Sequence, residues 1–199
     1  MSQLLPFVLF AFVASITPGP TNLLVLSNSA RYGLWRALPI VLGACAGAAG
    51  IVLLVGLGIG QWLLGHPGLQ RAMAWLGVAW LSYLAWQIFR SEAQPIEKDG
   101  QAPVRRLGLA GGAGLQLVNP KTWMMAMAVV SLFAGADASA ARYALFALVF
   151  FLVALPCLGV WALLGIGATR LLRSARALRR FNQLMALLLL GSAWASLLG

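Results

Sequence analysis

Apolar residues run along this chain in long unbroken stretches, neither alternating nor confined to one-sided stripes. Six stretches, 4–30, 39–64, 69–89, 109–133, 143–167 and 181–198, have about the 20 apolar residues that a helix needs to cross a bilayer. None alternates between lipid-facing and lumen-facing residues as a barrel strand must. The pattern therefore predicts an all-α integral membrane protein with six transmembrane helices. Polar residues collect in the gaps. One gap, 91–108, is long and holds Glu92, Pro95, Glu97, Lys98, Asp99, Gly100 and Pro103, the mark of a breaker-rich linker. It divides a single transmembrane domain, residues 1–199, into halves 1–90 and 109–199, each with three predicted helices.

Composition agrees with this reading. Of the 199 residues, 61% are hydrophobic and 9% charged, against about 25% charged in a soluble domain. The net charge of +10 does not indicate nucleic acid, because a nucleic-acid binder gathers its Lys and Arg on one wet face. Here they occupy the gaps. Eleven lie in the first, third and fifth gaps, whereas the second and fourth hold only Arg71 and Arg142. Basic loops stay on the cytoplasmic side, so both termini are expected to face the periplasm of a bacterial inner membrane. Residues 1–5 carry no basic side chain, so the first apolar stretch is expected to be a retained helix rather than a signal peptide. The basic run from Arg170 to Arg180 sets topology and meets anionic lipid.

An odd number of helices per half means that the second half enters from the opposite side, so related halves would form an inverted 3+3 repeat. Local echoes support the relation. The first helix of each half is interrupted by proline, at Thr17-Pro18-Gly19-Pro20 and at Asn119-Pro120-Lys121. The third helices share Leu76-Gly77-Val78-Ala79-Trp80 and Leu190-Gly191-Ser192-Ala193-Trp194, and the second helices carry Pro39 and Pro156. Inverted repeats with broken helices at matching positions are an architecture of secondary transporters.

A proline within a helix removes a hydrogen bond and clashes with the preceding turn, and in lipid the freed carbonyls need another partner. Thr17, Thr21 and Asn22 flank the first disruption; Gln116, Asn119 and Thr122 flank the second. Backbone freed in this way suits a zwitterion, since a helix start attracts a carboxylate and exposed carbonyls attract a cation. Lys121 is the only charged side chain well inside a predicted span, Arg71 lying at the very edge of one, at an insertion cost of about 2.5–3.5 kcal/mol if central. If the fourth helix starts at Leu109, Lys121 lies about 18 Å from the ends at 1.5 Å per residue, too deep to snorkel. If it starts near Leu115, the ammonium lies near the cytoplasmic interface. In the first case Lys121 is a candidate carboxylate anchor.

The remaining residues read as structure. Cys45 and Cys157 are expected as small buried hydrophobes, without metal-ligand spacing. His66 belongs to a short turn beside Pro67. No nucleophile–base pair is evident, so no enzyme and no cofactor are expected. Gly43, Gly47, Gly108 and Gly112 are expected to allow close helix approach, as are Gly56, Gly58 and Gly60. Trp123 is expected to line the second disruption.

At Thr17-Pro18-Gly19-Pro20, Asn119-Pro120-Lys121, Gly33-Leu34-Trp35-Arg36-Ala37-Leu38 and Tyr83-Leu84-Ala85-Trp86, over essentially the whole chain, the sequence resembles the LysE/RhtB superfamily of amino-acid exporters, including its cysteine/O-acetylserine branch. The resemblance implies outward transport of amino acids or their derivatives, driven by an ion gradient with proton or sodium as the coupling ion. It implies substrate or gating roles for Pro18, Gly19, Pro20, Asn119, Pro120 and Lys121. Some members read Pro-Gly-Pro-Asn where Thr21 here precedes Asn22. Together with the flanking polar residues, the expected substrate-binding set is Thr17, Pro18, Gly19, Pro20, Thr21, Asn22, Gln116, Asn119, Pro120 and Lys121. The spans offer no acidic partner for a cationic side chain, which favours small neutral substrates. A passive channel for small zwitterions is the alternative, and a homo-oligomer is left open.

Overall fold

The computed structural model describes residues 4–90, 107–134, 138–171 and 174–198. Residues 91–106, which hold most of the expected linker with Glu92, Glu97 and Asp99, lie outside that set, as does Asp137. The described residues are all helical or connecting, without strands.

The first predicted stretch is two helices, α1 (Leu4–Ile16) and α2 (Pro20–Tyr32), bent by 55°. A residue before proline is driven out of the helical region. Gly19 accordingly lies extended at φ −168°, ψ 178°, and Pro20 opens α2 at its first position, where a missing N–H costs nothing. The fourth stretch breaks by the same device. Asn119 lies at φ −92°, ψ 105° between α6 (Leu109–Leu117) and α7 (Pro120–Val129), and the pair is bent by 72°. In each half, then, a proline ends one helix and starts the next.

The second stretch begins five residues earlier than expected. It is α3 (Leu34–Leu54), a wide turn over Val55–Ile59, and α4 (Gly60–Leu64). Pro39 sits near the start of α3 and does not end it, because the carbonyl it orphans lies on Trp35, at an end that is 82% exposed. Gly33 separates α2 from α3 at φ +82°, a conformation that only glycine adopts readily. The others are α5 (Pro67–Arg90), α8 (Ala140–Leu171) and α9 (Ala175–Leu198). Among the described residues, three helices are long and apolar enough to cross a membrane, or five if each bent pair is one span. α9, which covers the sixth stretch and carries Arg176, Arg179 and Arg180 in its first turns, is not among them.

Glycine sets how closely the helices pack. α3 lies against α6, where a Cβ at Gly43 would strike the Leu109 carbonyl, one at Gly47 the Ala113 backbone, and one at Gly112 the Ile40 carbonyl. α8 lies against α2, where Gly165 faces the Leu26 carbonyl and Ser29. Gly77 on α5 faces the Val118 carbonyl, so a third helix abuts the second break. Two of the expected packing glycines behave otherwise. Gly108 has open space beside it, and so does Gly58, whose φ of +111° serves the wide turn instead. α3 also meets α8, and α5 meets α9, where Trp194 Nε1 reaches Ser82 Oγ at 3.3 Å.

Candidate functional site

The two breaks face each other. Lys121, in the first turn of α7, reaches across to the end of α1 and donates from Nζ to the Thr17 carbonyl at 2.9 Å. Helical structure starts at Leu109, the start that the first of the two readings assumes, and bends by 72° before Lys121. Its side chain is half-buried and passes close over Gly19, where an added Cβ would sit 3.1 Å from Nζ. The end of a helix carries a partial negative charge on its free carbonyls, which accounts for the ammonium resting there.

Three carbonyls at the end of α1 have side-chain donors. Ser15 O accepts from Asn22 Nδ2 at 2.9 Å, Ile16 O from Trp161 Nε1 of α8 at 3.0 Å, and Thr17 O from Lys121. The start of α2 differs: Gly19 offers no side-chain cap, so its first N–H groups remain available to a ligand.

The second break is held mostly from within its own helix pair. The Asn119 side chain caps α7 by accepting from Lys121 N at 3.2 Å. Thr122 Oγ1 donates to Gln116 Oε1 at 2.7 Å, and Trp123 Nε1 donates to the Leu117 carbonyl at 2.9 Å, which places Trp123 at the break as expected. Thr21 joins the two halves. Its hydroxyl accepts from Asn119 Nδ2 at 3.0 Å and from Gln116 Nε2 at 3.1 Å. Asn22, Gln116, Asn119 and Thr122 are all buried, and such groups must be hydrogen-bonded to be tolerated.

Between the breaks lies a cavity of about 40 Å³. Gly19, Pro20, Thr21, Asn22, Gln116, Asn119 and Lys121 of the expected set line it. Thr17 takes part through its carbonyl, Pro120 opens α7, and Pro18 is exposed. The expectation overlooked three contributors. Ser15 and Cys45 line the cavity, and Trp161 caps α1. Nothing in the sequence marks Ser15 or Cys45 among the many small residues of their helices. The volume exceeds the ~10–15 Å³ that one water needs and is well below the ~300 Å³ at which ligand pockets begin. The cavity is therefore contracted, and a solute the size of an amino acid requires the breaks to move apart. Cys45 and Cys157 are both buried, as expected, and His66 lies in the turn before α5 with Nδ1 2.8 Å from the Trp62 carbonyl.

Apolar helices surrounding a polar, contracted centre at two broken helices define a membrane protein built to pass a small polar solute. The family model described as "LysE type translocator" matches residues 12–198, and the chain belongs to that family. Its relatives include proteins named "Cysteine/O-acetylserine efflux protein". The one from Escherichia coli O157:H7 is 29% identical over 190 residues, 92% of each chain. That from Klebsiella pneumoniae subsp. pneumoniae is 28% identical over 127 residues, 64% of this chain and 63% of that protein. That from Salmonella paratyphi A is 30% identical over 128 residues, 64% and 63% respectively. The chain thus spans a little under two thirds of the Klebsiella and Salmonella relatives it matches. No solved structure matches the chain.

Proposed function

We propose that this protein exports small neutral amino acids or their derivatives across the bacterial inner membrane, as six spans in an inverted 3+3 repeat with both termini in the periplasm. The single observation that carries the reading is the Lys121 ammonium resting on the Thr17 carbonyl, where two broken helices meet over a polar cavity. A substrate carboxylate takes Lys121 as its partner together with the uncapped start of α2, and its ammonium group finds carbonyl oxygens at the end of α1. This division of labour is the one that broken helices perform in transporters. The helix contacts support the repeat. Exchanging the halves turns α3 on α6 into α8 on the α1–α2 pair, and leaves α3 on α8 and α5 on α9 in place.

The contracted cavity favours alternating access over an open channel, with Pro18, Pro20 and Pro120 as hinges. The names of the relatives favour cysteine, O-acetylserine and comparable solutes among neutral substrates. Transport is coupled to a proton or sodium gradient.

The test is uptake of labelled amino acids into everted vesicles at matched protein levels, with imposed pH and sodium gradients. Lys121→Met is expected to lower uptake on the order of 100-fold, since a charge-assisted contact to carboxylate is worth up to about 3 kcal/mol. Undiminished uptake by Lys121→Met would remove the anchor. Equal uptake with and without either gradient would favour a passive channel.

A further inference from the structure

One polar side chain in the cavity is left out of the network. Ser15 is buried, at 9% exposure, and lines the cavity between the breaks, and its Oγ has no hydrogen-bond partner. Every other polar side chain named there is engaged. Asn22 secures the Ser15 carbonyl, Gln116 and Asn119 hold Thr21, and Thr122 holds Gln116. A buried hydroxyl without a partner is costly. In a chain of this hydrophobicity alanine would fill the same place, as it does at neighbouring Ala14. An orphaned group at a site that must open to admit a solute is a group waiting for that solute.

We propose that Ser15 is the specificity-determining residue of this site: its hydroxyl reads the side chain of the substrate and selects small amino acids whose β-carbon bears a hydroxyl, thiol or short ester. The proposal rests on the export reading above and sharpens it. A serine hydroxyl donates once and accepts twice, so it can pair with an O–H, an S–H or an ester carbonyl, but gains nothing from a methyl group. The apolar lining of the cavity is mostly small, Ala14, Ala44, Cys45, Ala48 and Ala154, with Met125, Phe150 and Leu158 as its larger members. That leaves room for a short side chain once the breaks part. The backbone ends of the substrate are served elsewhere, by Lys121 and the broken helix termini, so Ser15 is free to read the side chain.

L-serine and L-2-aminobutyrate form a suitable probe pair, since they differ by a hydroxyl in place of a methyl group. Proteoliposomes containing the full chain are expected to transport serine on the order of tenfold faster at subsaturating concentration, the factor that one net hydrogen bond supplies. In Ser15→Ala the ratio should fall to near one, through loss of serine transport, while 2-aminobutyrate transport stays within about twofold of the unsubstituted protein. Ser15→Ala should also melt at the same temperature or higher, because an unpartnered buried hydroxyl has been removed, and serine should raise its melting temperature less than it raises that of the unsubstituted protein. Ser15→Cys, which keeps a weaker donor, should retain an intermediate ratio. If serine and 2-aminobutyrate are transported and the ratio survives in Ser15→Ala, or never differs from one, the selector role is overturned and the export reading stands. A lower melting temperature in Ser15→Ala would make the hydroxyl a structural group and likewise overturn the proposal. If the unsubstituted protein transports neither probe nor any other small amino acid, the export reading itself fails, and the selector falls with it.

Discussion

The two breaks share a cause and differ in how they are held. Both come from a proline that starts the next helix, Pro20 in one and Pro120 in the other. The second is closed largely by its own neighbours, with Asn119 capping α7 and Thr122 and Trp123 tying back to Gln116 and Leu117. The first depends on other helices. Trp161 of α8 and Lys121 of α7 hold the Ile16 and Thr17 carbonyls, and the start of α2 has no side-chain cap. The second break is thus a preassembled platform, whereas the first, beyond its own Asn22 bond to the Ser15 carbonyl, relies on its neighbours. Motion and ligand response should begin at the first.

The variants that test this contrast fall in order of effect. Lys121→Met, with its loss on the order of 100-fold, removes one of the links between the breaks. Trp161→Phe comes next. It leaves the Ile16 carbonyl unpaired among apolar groups, at about 1–3 kcal/mol, and should lower uptake about tenfold while broadening the melting transition measured by differential scanning fluorimetry. Asn119→Ala removes a helix cap worth about 1 kcal/mol. It should lower the melting temperature by a few degrees and cut uptake only severalfold, because Thr122 and Trp123 still hold the platform. Gly19→Ala has the smallest effect. Its backbone is extended and unstrained, and the new Cβ meets only the flexible end of Lys121, at 3.1 Å. A two- to threefold rise in KM with little change in kcat is expected, as when ground-state and transition-state binding weaken together. If Asn119→Ala proves more damaging to uptake than Trp161→Phe, the asymmetry between the breaks is wrong.

Much of this architecture is legible in the order of residues. Long apolar stretches locate α5 and α8 to within a few residues, with α3 and α9 starting five and six residues earlier than their stretches, and the proline strings locate both breaks, since backbone sterics act over one or two positions. What is not legible is long-range. The bond from Lys121 to Thr17 joins residues 104 positions apart, and no local pattern announces it. Ser15 reads as one more small residue in an apolar helix until the cavity beside it is known. Gly108 looks like a packing glycine because its spacing from Gly112 matches that of Gly43 from Gly47, and Gly58 because it falls between Gly56 and Gly60, yet an added Cβ at either would meet nothing. Spacing reports which face a residue occupies on its own helix, whereas contact depends on whether another helix comes to that face.

The resting place of Lys121 bears on how tightly this carrier can hold its cargo. The ammonium already has an oxygen beside it, so on the proposed reading an arriving carboxylate would displace one partner instead of rescuing a bare ion. Capture is thereby an exchange, and its net gain is only the difference between two oxygens. A pump that must let go of each molecule on the far side benefits from such a shallow well, because after discharge the lysine falls back onto the main chain and the empty protein can turn round without dragging a naked charge through oil.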